Sequence, residues 1–202
     1  MTRKDDPSLA RVATLADTDA IVATITTAFF DDPLWGPAFP DTQQRTVQAG
    51  VMWRLHIASA LRYPWTLVTP QAEAAAVWIP PGGSELTVQE DRELENLLTR
   101  SAGPQSSRAI LDIYDQLEAA HPDEPCFYLS LLGVHDDYRG QGLGMGLLSE
   151  SLARIDELGA SAYLESSNPI NNRRYETVGF TVRDQITVAT GHVVTTMWRP
   201  GR

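Results

Sequence analysis

The 202-residue chain is 43% hydrophobic, enough for one well-buried core with room for an insertion and too little for two large domains. Sixteen Lys and Arg against 26 Asp and Glu leave a formal charge of −10, a field that repels nucleic acid and anionic membrane and attracts cationic amines. Lys4 is the sole lysine and Cys126 the sole cysteine, so lysine-nucleophile chemistry has one implausible candidate, while an intrachain disulfide and a cysteine-rich metal site are excluded. Residues 1–15 carry charge but no apolar stretch of the secretory kind, and no apolar run approaches membrane-spanning length; the expected location is cytoplasmic.

In chain order, residues 11–15 alternate as a short strand, and Asp17 or Thr18 is placed to cap a helix with Ile21, Val22, Ile25, Ala28 and Phe29 on one face. Asp31-Asp32-Pro33 stops it. Residues 43–61 read as a second amphipathic helix with Val47, Val51, Leu55 and Ala58 at helical spacing, closed by Tyr63-Pro64. Residues 66–68 and 74–79 form a predicted hairpin, and Pro80-Pro81-Gly82-Gly83 ends the first half. The stretch 86–120 holds two helical patterns, 86–98 and 110–120, separated by Ser101-Ala102-Gly103-Pro104. Residues 126–134 are apolar on both faces, as for a strand buried between layers. A helix over 142–158 points Leu143, Leu147, Leu148, Leu152 and Ile155 inward, with Gly159 as its cap, and a strand at 161–166 completes a right-handed parallel unit. Residues 180–199 supply two more strands as a hairpin.

The most informative segment runs from Val134 through His135-Asp136-Asp137-Tyr138-Arg139-Gly140-Gln141-Gly142-Leu143-Gly144-Met145 to Gly146, where a buried strand turns into a helix. Unpaired amides and the positive dipole end gather there, and glycines allow a bulky anion to approach the backbone; pyrophosphate is the matching ligand class. The glycine spacing fails the dinucleotide fingerprint, and a P-loop would need a lysine. The segment resembles the acetyl-CoA motif of the GNAT superfamily, a strand-end valine, four residues, then Arg/Gln-x-x-Gly-x-Gly/Ala. The resemblance implies that Leu132, Gly133 and Val134 hold the pantetheine arm, and that Arg139, Gly140, Gln141, Gly142, Leu143, Gly144 and Met145 hold the pyrophosphate.

A second element, Asn168 through Asn171 and Tyr175 to Gly179-Phe180, resembles the Asn-x6-Tyr-x3-Gly-Phe signature of that superfamily. It implies Asn168 and Asn171 at the cofactor and the Tyr175 hydroxyl facing the thioester sulfur. Glu124 to Leu129, Leu164 to Ser167 and Met197 to Gly201 are similar to puromycin-type antibiotic acetyltransferases, in which the glutamate matching Glu165 acts as general base. Two readings of Glu165 stand side by side: a base with a raised pKa at a strand end, or a residue capping a turn or paired with Arg173 or Arg174.

These observations predict an α/β fold, a mixed, mainly antiparallel sheet of about seven strands with a splayed parallel pair flanked by helices. Residues 1–202 form one predicted N-acetyltransferase domain, with 86–120 a helical insertion before the cofactor strand. The expected function is direct transfer of acetyl from acetyl-CoA to a primary amine of a small molecule, by a monomer or homodimer without nucleic acid, membrane or metal. Acetylation of a protein N-terminus or lysine, or non-catalytic acyl-CoA binding, are the alternatives. Phe29, Asp32, Trp35 and Trp78 are candidate substrate residues: Trp35, Trp53, Trp65 and Trp78 offer aromatic material for a wall suiting a cation or flat ring, and Asp31 and Asp32 after the first helix are placed to recruit amines.

Overall fold

A computed structural model describes residues 10–202; Lys4 and the first part of the charged N-terminal stretch lie outside them. The first half comprises β1 (Arg11–Val12), α1 (Thr18–Ala28), α2 (Trp35–Ala38), α3 (Arg45–Ala60), β2 (Leu67–Val68) and β3 (Ala74–Ile79). After it come α4 (Val88–Ala120), β4 (Cys126–Val134), α5 (Leu143–Asp156), β5 (Ser161–Ser166), α6 (Asn172–Thr177), β6 (Thr181–Thr187) and β7 (Val193–Arg199).

The strands form one seven-stranded sheet in the order β1-β2-β3-β4-β5-β7-β6. Only β4 and β5 run parallel, joined by the α5 crossover, and the last strand inserts between β5 and β6. Both faces are covered, which is why β3 is buried at all six positions. On one face Ile21, Ile25, Trp53 and Ile57 pack with Val77 and Leu131; on the other Leu147, Leu148, Leu152 and Ile155 of α5 pack with Phe127, Leu129, Leu164 and Met197.

The parallel pair is short. Its register runs from Cys126↔Ser161 to Leu129↔Leu164 and stops, while β4 stays paired with β3 as far as Val134. A bulge marks the break: Val77 faces Leu131 and Trp78 faces Leu129, so Ser130 has no partner across β3. Past this point β4 and β5 separate into a wedge. His135 N–H donates to the Glu73 carbonyl at 2.8 Å, on the β3 side. By alternation along the strand, the peptide groups of Val134 and Leu132 turn the opposite way, into the wedge.

Three expectations need correction. In α3 the buried stripe is Ala49, Met52, Trp53, His56, Ile57 and Ala60, whereas Val47 is 65% exposed and Ala58 is exposed; the bulkier side chains, and not the aliphatic series at 47, 51, 55 and 58, choose the inward face. In α4 the two helical arms meet at a single residue, Gly103 (φ 85°), and Pro104 begins the second arm, where its missing N–H is no loss. Trp78 is fully buried on the α5 side of β3, and so is core material and no part of a substrate wall. Among the described residues no helix is long and apolar enough to cross a membrane.

The site depends on how closely α1 lies on β4. A Cβ at Gly133 would sit 2.8 Å from Ile25 Cδ1 and 2.9 Å from Ala28 Cβ, so only the missing side chain lets the helix down onto the strand. Gly133→Ala is therefore expected to cost about 1–3 kcal/mol of stability through overpacking. Urea unfolding of the two proteins checks this; an unchanged midpoint would show that α1 has slack at this contact.

Candidate active site

The wedge opens into a cavity of about 670 Å³ that extends from the glycine turn, past the ends of β4 and β5, to the helices of the first half. On the turn side, Gly140 and Gly142 have φ of 79° and 80° and no atom within 4 Å of a would-be Cβ, and Gly142 is the N-cap of α5. This left-handed turn directs the first amides of α5 outward, the donor arrangement that a pyrophosphate requires. At Gly144 the helix comes so close to β4 that a Cβ would lie 3.0 Å from Val134 Cγ2. Leu132, Gly133, Val134, Arg139, Gly140, Gly142, Leu143, Gly144 and Met145 all line the cavity; Gln141 is exposed and does not. Arg139 ties the turn to the first half, donating to the Ala28 carbonyl at 3.1 Å while paired with Asp136 at 2.7 Å.

Asn168, Asn171 and Tyr175 line the same cavity from the segment after β5. Asn168 Oδ1 accepts from Ile170 N at 3.1 Å and so shapes the turn, and Asn171 Oδ1 accepts from Arg174 at 2.9 Å. Tyr175 sits on α6 with its ring edge toward Phe180, centroids 6.2 Å apart. Burial first, and then the charge of Asp32, push its phenol up to about 12. It therefore keeps its proton throughout the neutral range.

Glu165 lies one residue past the last β4–β5 pair, on the face opposite the α5 layer. Its Oε2 accepts from the Tyr128 hydroxyl at 2.6 Å. Burial pushes the carboxyl up to about 8; the phenols of Tyr128 and Tyr163 oppose the rise and the charge of Glu85 adds to it. The turn-cap and arginine-pair readings fit poorly, since among the described residues no arginine comes within ion-pair distance of Glu165 and Arg174 is turned to Asn171.

The far side of the cavity is aromatic. Trp53 meets Phe29 at 5.4 Å and Trp35 edge-on at 5.3 Å, Trp35 meets Tyr114 at 5.4 Å, and His56 stacks on Tyr114 at 5.1 Å. The Trp53 indole N–H and the Tyr114 hydroxyl are buried without a hydrogen bond in the protein. Such donors favour an occupant with a polar group of its own. His56, Glu85, Tyr114 and Tyr128 are cavity residues that sequence reasoning missed, whereas Trp53, expected as wall material, lines the cavity with them. The spacing of His56 from Trp53 along α3 held the signal for one of them, hidden by the wrong choice of helix face. Asp32, expected as a free recruiter of amines, is a brace: Oδ1 accepts from Leu34 N and Trp35 N at 2.9 and 3.1 Å, and Oδ2 from Ser167 Oγ at 2.6 Å. Among the described residues no group of three His, Cys, Asp or Glu is arranged to hold a metal ion.

Residues 118–199 match the model of the acetyltransferase (GNAT) domain. A mycothiol acetyltransferase from Corynebacterium aurimucosum is 37% identical over 67 residues, a stretch covering 31% of this chain and 22% of that protein, so the match spans about a fifth of the relative's length. Among solved structures, that of histone acetyltransferase HPA2 and related acetyltransferase from Corynebacterium glutamicum superposes with a TM-score of 0.71 at 22% identity, covering 96% of each chain. Arylalkylamine N-acetyltransferase 2 from Aedes aegypti gives 0.63 at 15% identity, over 96% of this chain and 98% of that one. GNAT acetyltransferases take their acetyl group from acetyl-CoA. Residues 118–199 thus match a GNAT acetyltransferase domain, and the chain as a whole shares the fold of these solved acetyltransferase structures.

Proposed function

We propose that the chain transfers acetyl from acetyl-CoA directly to a primary amine of a small molecule with a flat, apolar body. The observation that carries this reading is the continuity of one cavity from the glycine turn, through Glu165 and Tyr175, to the wall of Phe29, Trp35, Trp53 and Tyr114. Aromatic faces attract cations and stack on rings, and the net charge of −10 favours a cationic partner. The arylalkylamine specificity in the name of the Aedes aegypti structure supports the same class. An antibiotic bearing a primary amine on an aromatic or planar body belongs to it, in keeping with the puromycin-type resemblance.

Bound at the turn, acetyl-CoA supplies an activated thioester. The chain's part is to bring a neutral amine to it, to stabilise negative charge on oxygen, and to protonate sulfur. In this reading Glu165 takes the ammonium proton, directly or through water, its raised proton affinity making it a stronger base than an ordinary carboxylate. The outward-turned Val134 amide is the donor for developing oxyanion charge, and the Tyr175 phenol, still protonated at neutral pH, is the acid for sulfur.

Acetyl-CoA is expected to raise the melting temperature, a ligand at about a hundredfold its Kd adding roughly 2.7 kcal/mol to the folded state. Gly142→Val should remove that shift, because the left-handed φ of 80° resists a β-branched residue at the point where the pyrophosphate meets the amides. Undiminished binding by a folded Gly142→Val protein rules out the turn as the cofactor site. A panel of arylalkylamines, puromycin, aminoglycosides, polyamines and peptides, read by release of free thiol, tests the acceptor; turnover of peptides alone would move the assignment to protein acetylation.

Two variants test the mechanism. Tyr175→Phe should lower kcat by about 10²–10⁴ with acetyl-CoA binding intact. If instead kcat is kept, the hydroxyl only positions the cofactor. Wild-type kcat/KM should rise as pH passes about 8, as Glu165 ionises. Glu165→Gln should flatten that limb.

The same group makes an opposite demand on stability. Above the ordinary carboxylate value of 4.5 the unfolded chain ionises while folded Glu165 holds its proton, so the stability the protonated group confers is lost as pH rises toward 8. Glu165→Gln is therefore expected to gain in melting temperature relative to wild type over that interval. A pH-independent difference between the two would mean that burial does not raise the Glu165 pKa.

A further inference from the structure

We propose that Glu85, in the loop between β3 and α4, is the specificity-determining anchor for the ammonium group of the acceptor, holding it at the β4 bulge opposite Glu165. The inference rests on the amine-acceptor reading above and names the residue that selects for charge.

The geometry comes from the break in the sheet. Ser130 is the residue that the bulge leaves without a partner across β3, and its hydroxyl is free to donate to Glu85 Oε1. Continuing the β4–β5 register one step beyond Leu129↔Leu164 places Ser130 level with Glu165. The Glu85–Ser130 and Glu165–Tyr128 pairs therefore stand side by side at the mouth of the wedge, and all four residues line the cavity. Glu85 is half-buried, and among the described residues no cation lies within ion-pair distance of it. The Arg62 guanidinium, which reaches the Glu85 main chain, donates to the carbonyls of Ser59, Ser84 and Glu85. The His56 ring directs Nδ1–H to the Met52 carbonyl at 3.0 Å. A carboxylate in a partly buried cavity, walled by Trp53 and Tyr114 and left without a counter-charge, has its binding energy free for an incoming cation.

The titratable groups facing this place are Tyr114 of α4, Tyr128 and Cys126 of β4, and Tyr163 and Glu165 of β5. The charge of Glu85 raises the proton affinity of Tyr114, Tyr128 and Glu165, which places it electrostatically among them. The proton step then balances simply: the ammonium pairs with the Glu85 side chain, gives one proton to ionised Glu165, and leaves as its products a neutral amine and a protonated Glu165. The charge of Glu85 holds the proton on the amine, and it raises Glu165's affinity for the same proton, so binding is gained without making the base too weak.

Steady-state kinetics of wild type, Glu85→Gln and Glu85→Asp, with phenethylamine as acceptor and phenethyl alcohol as an uncharged competitive inhibitor, tests this. For Glu85→Gln the amine KM is expected to rise at least about tenfold with the acetyl-CoA KM unchanged, and inhibition by the alcohol to be unaffected; one lost charge-assisted contact is worth about that factor. The acidic limb of kcat/KM should move to lower pH, a displacement that a purely structural role for Glu85 would not produce, and Glu85→Asp should recover part of the amine affinity. If wild type turns over phenethylamine and Glu85→Gln keeps its KM and its pH limb, Glu85 is not the anchor. If wild type neither acetylates nor binds phenethylamine, while acetyl-CoA still shifts its melting curve, the arylalkylamine reading fails and this inference goes with it.

Discussion

The separation of β4 from β5 after Leu129 and Leu164 is the constraint on which the rest of the molecule turns. A sheet that stayed paired to the ends of both strands would satisfy its peptide groups internally and leave no entry between them. Because β3 holds β4 as far as Val134, while β7 holds β5 as far as Ser166, each strand keeps its shape where the two part company. The strand edge of β4 is then open to a ligand, while the strand itself is rigid. The bulge at Ser130 and the crowding of α1 against Gly133 fix the position of that edge from opposite sides.

A wedge in a sheet also brings burial and charge together. Residues on the α4 side of β4 and β5 point into a layer of tyrosines, and Glu165, placed one step past the last pair, keeps its carboxylate among them instead of in water. Desolvation is therefore the main cause of its raised proton affinity, and Glu85 adds a like charge from the neighbouring loop. The aromatic packing that stabilises this half of the molecule is thus what raises the proton affinity of an ordinary carboxylate.

Much of this architecture was legible in the sequence, and unevenly so. From residue 126 onward the strands, the crossover helix and the glycine turn follow from local chemistry: a strand apolar on both faces, Gly142 at the N-cap of α5 and Gly159 with φ 63° just after its end. Those signals act over a few residues and need no tertiary partner. In the first half the decisive choices are tertiary. The face of α3 is chosen by Trp53, His56 and Ile57 filling space against α1 and α4, and periodicity alone allowed the aliphatic stripe at 47, 51 and 55 an equal claim. Trp78 and Trp53 are both tryptophans that sequence composition treats alike, and only the sheet assigns one to the core and the other to the cavity. Glu85 had no motif to mark it, since its place in the cavity wall goes with its contact to Ser130, 45 residues away.

The aromatic wall of the cavity is tied to the half that carries the glycine turn by side-chain hydrogen bonds of Asp32 and Arg139. Asp32 closes α2 with one carboxylate oxygen and takes the Ser167 hydroxyl with the other; Arg139 reaches from the glycine turn to the end of α1. These polar ties fix where the aromatic wall stands relative to the donor side, whereas the wall's own content is ordinary side-chain packing among Phe29, Trp35, Trp53, His56 and Tyr114. Substitution among those aromatics alters the shape offered to the acceptor without touching a backbone hydrogen bond of the wedge. Loss of Asp32, by contrast, releases the two amides of Leu34 and Trp35 and the Ser167 hydroxyl together, and its charge no longer bears on Tyr175. The shape of the aromatic wall and the environment of Tyr175 are therefore separable, with Asp32 as the residue where the two meet.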